Sequence, residues 1–366
     1  MSRPAKALID LAALRHNYQL ANGLSPNAKN MAVIKANAYG HGAVSVARAL
    51  QDLVPAFGVA CIEEALELRE AGIKNPIHLL EGAFSEDEIL MASEQDFSLS
   101  VVNQEQKQAI IKARLASSIR YSPLNIWIFV DTGMHRLGIQ PDELISTYRD
   151  LAASANVAGG IVVATHFACA DELDNEFTSV QLARMAQGMG DMCAPRSFAN
   201  SAGLLGWPET RVDWNRPGIM LYGSSPFPSS HPEADGLLPV MTFKSAVIAL
   251  RDIQPGETVG YAATWMADRP TRIATIAIGY GDGYPLHAPN GTPVLINGQR
   301  CPLAGRVSMD MITVDVTDLP GVSLGDEVIL WGKGLSVNEV AACAGTISYE
   351  LLTRMPRRTP REYLNI

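Results

Sequence analysis

Short apolar runs alternate with amphipathic stretches from about Met31 to Tyr222, and this rhythm constrains the fold more than any other feature of the chain. The apolar runs are MAVIKA, AFGVA, IHLLEG, FSLSV, IWIFVD, GIVVATHF, SFANS and GIMLYG. Near-continuous apolar segments are typical of parallel strands that are covered on both faces. About eight strand–helix units in roughly 190 residues predict a (β/α)8 barrel, in which the fourth and seventh runs are the weakest strands.

Amphipathic stretches lie between most of these runs. Residues 62–71 (IEEALELREA) and 103–117 (NQEQKQAIIKARLAS) are the clearest predicted helices. Ser85 opens the sequence SEDE, which predicts a helix N-cap followed by an acidic first turn.

The pattern changes after Tyr222, where SSPFPSSHPEADG has the composition of a linker. The strand-like runs that follow it are MTFKSAVIAL, TRIATIAIGY, TPVLI, MITVDV and EVILW. Asn297 and Gly298 predict a type I′ hairpin turn, and one helix is expected near SVNEVAACAG.

The chain is therefore predicted to have an α/β fold with two domains. An N-terminal (β/α)8 barrel, residues 10–230, is followed by a mainly β C-terminal domain, residues 236–366. Residues 1–9 are a candidate for an added strand of the second domain.

Charge and composition exclude several classes of function. A net charge of -9 argues against a nucleic-acid partner. The chain shows neither the h-region of a secretory signal nor the run of about 18 apolar residues that a membrane span needs. The five cysteines, which are scattered and never spaced C-x-x-C, predict free thiols in a reducing compartment. We therefore expect a cytoplasmic protein without a membrane partner.

Lys35 ends the first predicted strand, in AVIKANAYGHG. At the C-terminal end of a barrel strand its side chain points into the mouth where barrel enzymes place their sites. A lysine partly removed from water suits Schiff-base chemistry. From its position alone, a side chain that simply extends to solvent from a strand end remains the alternative.

Other predicted strand ends also carry polar side chains. Arg136 follows the fifth strand, His166 ends the sixth, Ser201 ends the seventh, and Arg216 lies just before the eighth. Because all these ends face one mouth of a barrel, we expect the side chains to converge on one site. Each also has a purely structural alternative: His166 as a core histidine, Ser201 as a helix N-cap and Arg216 as one partner of a surface ion pair.

Ser201, Gly218 and Ile219 lie where barrels often bind phosphate, in the loops after the last two strands. A small hydroxyl and two backbone N–H groups can hold a phosphate dianion. A lysine and a phosphate site in one barrel mouth together predict pyridoxal phosphate as the cofactor.

The sequence resembles the alanine racemase family, whose members are fold-type III pyridoxal-phosphate enzymes. AVIKANAYGHG looks like the family's cofactor-lysine signature, which is highly specific. The other matching motifs, in the family's order over nearly the whole chain, are DTGMHRLG, THFACADE, NSAG, RPGIMLYG, VGYAATW, GRVSMDM and ISYELL.

The resemblance implies a two-base racemisation of L-alanine and D-alanine. Lys35 would carry the cofactor and act as one base, and Tyr261 would be the base on the opposite face. Taken alone, Tyr261 would be read as an ordinary strand aromatic. Arg136 would touch the phenolic oxygen of the cofactor and help to hold the substrate carboxylate, which the backbone of Met309 would also bind.

The resemblance also implies which residues hold the cofactor. Arg216 would bond the pyridine nitrogen, with His166 behind it. The residues that would hold the phosphate are Tyr39, Ser201, Gly218, Ile219 and Tyr349. An arginine at the pyridine nitrogen makes the ring a weaker electron sink than a carboxylate would, which favours reprotonation over transamination.

Two positions depart from the family pattern. Many members have a lysine, often carbamylated, where this chain has Phe129, and that lysine steadies the active-site arginine. Arg136 would then need another partner, such as an anion or water. Many members also have an arginine near the substrate entrance where this chain has Leu286.

These departures leave more than one function open. The alternatives to an alanine racemase are a broader racemase of small amino acids such as serine, a non-catalytic pyridoxal-phosphate carrier and a fold-type III decarboxylase. Tyr261 argues against a carrier, and Arg216 argues against a decarboxylase, which has an acidic residue at that position.

The G-x-G-x-G of GYGDGYP is followed by Pro285 and predicts a turn, not a dinucleotide loop. The histidines lack metal-ligand spacing, so no metal is expected.

Lys35 and Tyr261 lie in different predicted domains, on either side of the linker. The β domain could close the barrel mouth of its own chain or that of a neighbour. The resemblance favours a head-to-tail homodimer with shared active sites, and symmetric closed dimers are the commonest oligomers.

Overall fold

The structure is a computed structural model that describes residues 3–115 and 120–365. Its α-helices, numbered in chain order, are α1 (Leu11–Leu24), α2 (Lys35–Tyr39), α3 (Ala43–Leu50), α4 (Ile62–Glu70), α5 (Glu86–Glu94), α6 (Gln104–Lys112), α7 (Leu144–Ala152), α8 (Phe177–Met189), α9 (Ser201–Gly206), α10 (Val337–Cys343) and α11 (Ser348–Thr353). Its strands are β1 (Lys6–Asp10), β2 (Lys29–Asn30), β3 (Ala32–Val33), β4 (Phe57–Val59), β5 (Ile77–Leu79), β6 (Phe97–Val101), β7 (Ile126–Phe129), β8 (Val162–Ala164), β9 (Arg196–Ser197), β10 (Trp214–Asn215), β11 (Met241–Ile253), β12 (Thr258–Val259), β13 (Trp265–Met266), β14 (Thr271–Ile276), β15 (Pro293–Ile296), β16 (Gln299–Pro302), β17 (Ile312–Asp315), β18 (Glu327–Trp331) and β19 (Arg361–Leu364).

Parallel strands β2 to β10 form a ring. Their order is β2-β10-β9-β8-β7-β6-β5-β4-β3, and only Met31 separates β2 from β3 along the chain. These two segments therefore act as one interrupted strand, which pairs with β10 on one side and with β4 on the other. The ring thus has the eight strand positions of a (β/α)8 barrel, and the predicted fold class is confirmed.

The eighth strand of the ring was predicted at the wrong position in the sequence. Residues Ile219–Tyr222 of GIMLYG form a 3-10 helix, and the strand at this position of the ring is β10. All four side chains of the 3-10 helix are buried, and a short run that is buried on every side has the same apolar pattern in a helix as in a strand. Arg216 consequently follows the eighth strand and does not precede it.

A second sheet contains strands from both ends of the chain. Its order is β16-β15-β18-β11-β1-β19, with β14 paired to β11 and β17 paired to β14. The N-terminal strand β1 lies between β11, to which it is antiparallel, and β19, to which it is parallel. The second domain is mainly β, as predicted. The bounds 10–230 and 236–366 stay a prediction.

Local signals gave several elements correctly. Asn297 and Gly298 have φ values of 50° and 78° and join β15 to β16, as a type I′ turn requires. The Oγ of Ser85 accepts a hydrogen bond from the N–H of Glu88 at 3.2 Å, as an N-cap does. The helix predicted over 103–117 is observed as α6, and residues 116 and 117 lie outside the described residues.

The segment near SVNEVAACAG forms α10, and a further helix that was not predicted, α11, follows it. Within residues 3–115 and 120–365, no helix has the length and apolar character that crossing a membrane requires.

Candidate active site

A cavity of about 660 Å³ lies at the carboxyl ends of the barrel strands. Residues from most of the ring and from the second domain line it. The predicted site residues among them are Lys35, Tyr39, Arg136, His166, Ser201, Arg216, Gly218, Ile219 and Tyr349. Tyr261 and Met309 lie elsewhere, on the second domain, where they are 71% and 53% exposed. The structure therefore brings all but two of the predicted residues together within one chain.

The short element α2, which begins at Lys35, is a left-handed turn and not a right-handed α-helix. The φ values of Ala36, Asn37, Ala38 and Tyr39 are 52°, 55°, 53° and 50°. Each non-glycine residue in this conformation costs about 1–2 kcal/mol relative to a right-handed one. Contacts with the rest of the protein must offset that cost.

Glu64, in the first turn of α4, contributes one such contact. Its carboxylate accepts hydrogen bonds from the N–H of Ala36 at 2.6 Å and from the N–H of Ala60 at 2.8 Å. The sequence reading missed this role. The available signal was the acidic first turn of a helix directly after the second strand, which places a carboxylate at the barrel mouth.

The C-terminal end of the chain holds the other end of the turn. Arg361 Nε donates to the carbonyl of Gly40 at 2.6 Å, and the hydroxyl of Tyr363 donates to the carbonyl of His41 at 3.2 Å. A Cβ on Gly40 would lie 1.9 Å from the carbonyl oxygen of Leu352, so no side chain fits there. The second domain thus helps to fix the conformation that follows Lys35.

Ser201 and Gly218 lie at one end of the cavity. Ser201 Oγ accepts hydrogen bonds from the N–H groups of Gly218 at 2.8 Å and Met220 at 3.3 Å. A hydroxyl that accepts from these N–H groups keeps its own proton to donate to an anion. A Cβ on Gly218 would lie 2.6 Å from Tyr39 Oη, so glycine permits the close approach of the tyrosine.

Two further tyrosines pack at this end. The rings of Tyr39 and Tyr222 stack with centroids 4.8 Å apart, and Tyr349 from α11 lies 6.2 Å from Tyr39. Burial raises the pKa of Tyr39 to about 12 and raises that of Tyr349 as well. Both hydroxyls therefore stay protonated near neutral pH and can donate to an anion.

Arg216 is a buried cation held by neutral groups. Its Nη1 donates to the carbonyl and hydroxyl of Ser197, and its Nη2 donates to the carbonyls of Thr165 and Phe198. Burial lowers its pKa to about 10, so the guanidinium remains charged near neutral pH. Among the described residues none accepts a hydrogen bond from its Nε, which leaves a donor for a group in the cavity.

Phe129 lies against this cation. Its ring centroid is 5.2 Å from the guanidinium carbon of Arg216, within the range of a cation–π contact. Arg136, in contrast, is exposed, and no side-chain hydrogen bond or ion pair joins it to the described part of the chain. Asp131 does not support it, because that carboxylate accepts from Gly133 and His135 instead.

Histidines near Arg216 are neutral. Burial, followed by the positive charges of Arg216, Arg136 and Lys35, lowers the pKa of His166 to about 3. Burial and the charge of Arg216 lower the pKa of His78 to about 3 as well. The ring nitrogens of His78 lie 3.3 and 3.0 Å from the hydroxyl oxygens of Ser98 and Ser100.

The cavity residues fit pyridoxal phosphate. The hydroxyls of Ser201, Tyr39 and Tyr349 suit its phosphate. The free Nε of Arg216 suits the pyridine nitrogen, and the amine of Lys35 suits the aldehyde carbon. The described residues contain no group of histidine, cysteine, aspartate and glutamate side chains that could hold a metal ion.

Tyr261 and Met309 occupy turns on the second domain. Tyr261 begins the turn between β12 and β13, which pair as an antiparallel hairpin. Met309 lies in a turn at residues 308–311, just before β17, where the N–H of Ser308 donates to the carbonyl of Met311 at 3.0 Å. Neither residue lines the cavity of its own chain.

Comparison with known proteins gives a consistent result over the whole chain. Residues 9–226 match the family described as alanine racemase, N-terminal domain, and residues 240–363 match alanine racemase, C-terminal domain. A catabolic alanine racemase from Pseudomonas putida is 51% identical and covers 99% of each chain. Alanine racemase from Pseudomonas taetrolens is 50% identical with the same coverage. The crystal structure of a biosynthetic alanine racemase from Pseudomonas aeruginosa aligns with a TM-score of 0.95 and 47% identity, covering 99% of this chain and 100% of that one.

Proposed function

Because this chain belongs to the alanine racemase family, we propose that its barrel cavity interconverts L-alanine and D-alanine with Lys35 and Tyr261 as the two bases. Alanine racemisation and the use of pyridoxal phosphate follow from membership of the family. The roles of the individual residues are what we propose here. The observation that carries it is the convergence of Lys35, Arg216 and the Ser201–Gly218 pair on one cavity.

When bound, pyridoxal phosphate supplies an electron sink that makes the α-proton of an attached amino acid acidic. Lys35 Nζ removes or returns that proton on one face, and Tyr261 Oη does so on the other. One C–H bond breaks and another forms on the opposite face, so no proton is gained or lost overall. Arg216 Nε would donate to the pyridine nitrogen, with the neutral His166 near the guanidinium.

The substrate carboxylate is held by the guanidinium of Arg136 and the backbone N–H of Met309. Arg136 suits this role because it lines the cavity and is not engaged by another described side chain. The phosphate would be held by Tyr39, Tyr349 and the Ser201–Gly218 pair, together with the backbone of Ile219.

The assembly is a head-to-tail homodimer with shared active sites. Tyr261 and Met309 project from the second domain and are absent from the cavity of their own chain, so a second subunit has to supply them. The same domain exposes further large apolar side chains, as a subunit interface does. They include Met266, Tyr280, Leu286, Met311 and Ile347.

A broader racemase of small amino acids is the second candidate. Leu286 is 46% exposed, which is consistent with a less polar substrate entrance than an arginine would give. We also propose a cytoplasmic location, because each cysteine in the described residues is a free thiol.

Borohydride reduction tests the cofactor assignment. The purified holoenzyme should be yellow, and reduction should abolish its absorption band and fix the cofactor to Lys35, as located by peptide mapping. A label on any other lysine contradicts the assignment. A panel of L-amino acids, assayed for the D-isomer, separates an alanine enzyme from a broader one.

A further inference from the structure

A buried carboxylate lies behind the turn that carries Met309. The side chain of Asp282 is 1% exposed and lies between two arginines from opposite ends of the chain. Arg3 Nη2 is 2.6 Å from one carboxylate oxygen and Arg358 Nε is 3.0 Å from the other. The first oxygen also accepts the N–H of Gly279 at 3.0 Å. Asp282 is therefore a hub that links both termini to the 279–282 turn.

Both arginines continue from this hub to the 308–311 turn. Arg3 Nη2 donates to the carbonyl oxygen of Asp310 at 2.8 Å. Arg358 Nη2 donates to the carboxylate of the same residue. Each guanidinium thus joins the buried hub to the residue next to Met309.

The two turns are also in direct backbone contact. The N–H of Tyr280 donates to the carbonyl of Ser308 at 3.0 Å, and the N–H of Gly281 donates to the carbonyl of Met309 at 2.9 Å. A Cβ on Gly279 would lie 2.2 Å from the Ser308 carbonyl oxygen, so no other residue permits this approach. The Met309 peptide is consequently tied to the 279–282 turn, which contains Asp282.

The N–H of Met309 remains available. No group in residues 3–115 and 120–365 accepts a hydrogen bond from it. A free backbone donor, in an exposed turn that two arginines and two backbone hydrogen bonds hold in place, is suited to bind an anion supplied by another molecule.

We propose that Arg3, Asp282 and Arg358 are positioning residues for the substrate carboxylate. They hold the 308–311 turn so that the Met309 N–H reaches the carboxylate of a substrate in the partner subunit's cavity. The inference rests on the proposed function, in which Met309 serves the neighbouring site. Positioning of this kind affects how well substrate binds and leaves proton transfer at Lys35 and Tyr261 intact.

Arg3→Gln tests the proposal, because Arg358 still pairs with the hub in this variant. We expect the KM for alanine to rise about fivefold, with kcat within about twofold of the wild-type value and unchanged cofactor affinity. Amide hydrogen exchange at residues 308–311 of the holoenzyme should become faster. In Arg3→Lys, both the KM and the exchange rate at residues 308–311 should lie between those of wild type and Arg3→Gln, since an ammonium group keeps the charge but lacks the planar fork.

Two further variants separate positioning from general stability. Arg269→Gln removes an exposed arginine–aspartate pair elsewhere in the second domain and should leave both KM and exchange at the turn unchanged. Asp310→Asn removes the negative charge to which Arg358 donates and keeps both the buried hub and the Arg3 bond to the carbonyl of residue 310, so it should raise KM even if Arg3→Gln proves too unstable to purify.

The outcomes distinguish the inference from the proposed function. Faster exchange with a raised KM supports it. Unchanged exchange in both Arg3→Gln and Asp310→Asn overturns it. Faster exchange with an unchanged KM also overturns it, because the turn would then not set substrate binding. In either case, a label at Lys35 and normal racemisation by the wild-type enzyme would leave the proposed function in place.

Discussion

The ring of Phe129 lies over the guanidinium of Arg216, 5.2 Å from ring centroid to guanidinium carbon, inside the cavity that Lys35 shares. The family resemblance led us to expect Phe129 to matter through Arg136, which would lose a partner. The structure gives this phenylalanine a contact with a different arginine. An aromatic face is a suitable neighbour for a buried cation that has only neutral hydrogen-bond partners.

Phe129→Leu should weaken cofactor binding, because leucine keeps the apolar volume but removes the cation–π contact. A desolvated contact of this kind contributes about 1–2 kcal/mol, which corresponds to about a 5- to 30-fold rise in the dissociation constant of pyridoxal phosphate. Fluorescence titration of the apoenzyme measures it. Phe129→Tyr is the control, since it keeps the ring. If the Phe129→Leu variant and the wild-type protein bind pyridoxal phosphate with equal affinity, the contact does not support Arg216.

Phe129→Lys should make the enzyme responsive to bicarbonate. A lysine at this position would lie near the buried Arg216, where two cations repel, so the neutral amine is favoured and can form a carbamate. The resulting anion could support Arg136 and lower the KM for alanine. Phe129→Gln is the matched control, because it cannot be carbamylated. If the lysine variant behaves as wild type with and without bicarbonate, Arg136 has another partner.

Lys35→Ala and Tyr261→Phe should complement each other if the active sites are shared. Each variant lacks one base and should be nearly inactive alone. Random exchange of subunits makes about half of the dimers mixed, and each mixed dimer has one site with both bases, so activity should approach about a quarter of wild type. The measurement is activity after reversible dissociation of the mixture. Heterodimers that form without recovering activity would place each site within one chain.

Gly218→Ala should lower stability through a steric clash with Tyr39. The added Cβ would lie 2.6 Å from Tyr39 Oη and 3.3 Å from its Cζ. We expect a loss of about 1–3 kcal/mol in the free energy of unfolding, measured in urea. Adding Tyr39→Phe removes the closer atom and should recover most of that loss. A double variant no more stable than Gly218→Ala would mean that the backbone, not the hydroxyl, resists the methyl group.

His78→Gln should reduce the acid sensitivity of the fold. The pKa of His78 falls from 6.5 to about 3 on folding, mainly through burial and then through Arg216. Below about pH 6.5 the unfolded chain therefore binds a proton that the native state rejects, and stability declines as the pH falls towards 3. One such histidine contributes up to about 1.4 kcal/mol per pH unit to that slope.

Urea unfolding at half-unit steps between about pH 6 and 4 measures this slope. The glutamine variant should show a shallower decline than wild type, and the exposed His16→Gln should not. Identical slopes for His78→Gln and wild type would mean that the buried histidine is already protonated in the native state.

Local patterns determined much of what could be stated in advance. The apolar runs predicted a barrel followed by a β domain, since the period of buried residues follows from the geometry of each element. Asn297 and Gly298 predicted their own hairpin, because a positive φ at two consecutive residues is a local steric preference. The role proposed for Lys35 rests on a specific motif that surrounds it within the sequence.

Contacts between distant segments decided the rest. The left-handed turn after Lys35 has no glycine until Gly40, so its conformation depends on Glu64, Arg361 and Tyr363, which lie up to hundreds of residues away. Ile219–Tyr222 became a 3-10 helix because burial on every side removed the periodicity that separates helix from strand.

Contacts between distant segments also decided the surroundings of Phe129 and Met309. Whether Phe129 contacts Arg216 or Arg136 depends on how the strands of the ring are arranged, and the sequence around each residue carries no record of that arrangement. The sequence determined which chemical groups the site could contain, because composition and motif are local properties. Only the tertiary structure decided which of them meet in one chain and which, like Tyr261 and Met309, face outward, because proximity in space arises from packing that no local pattern encodes.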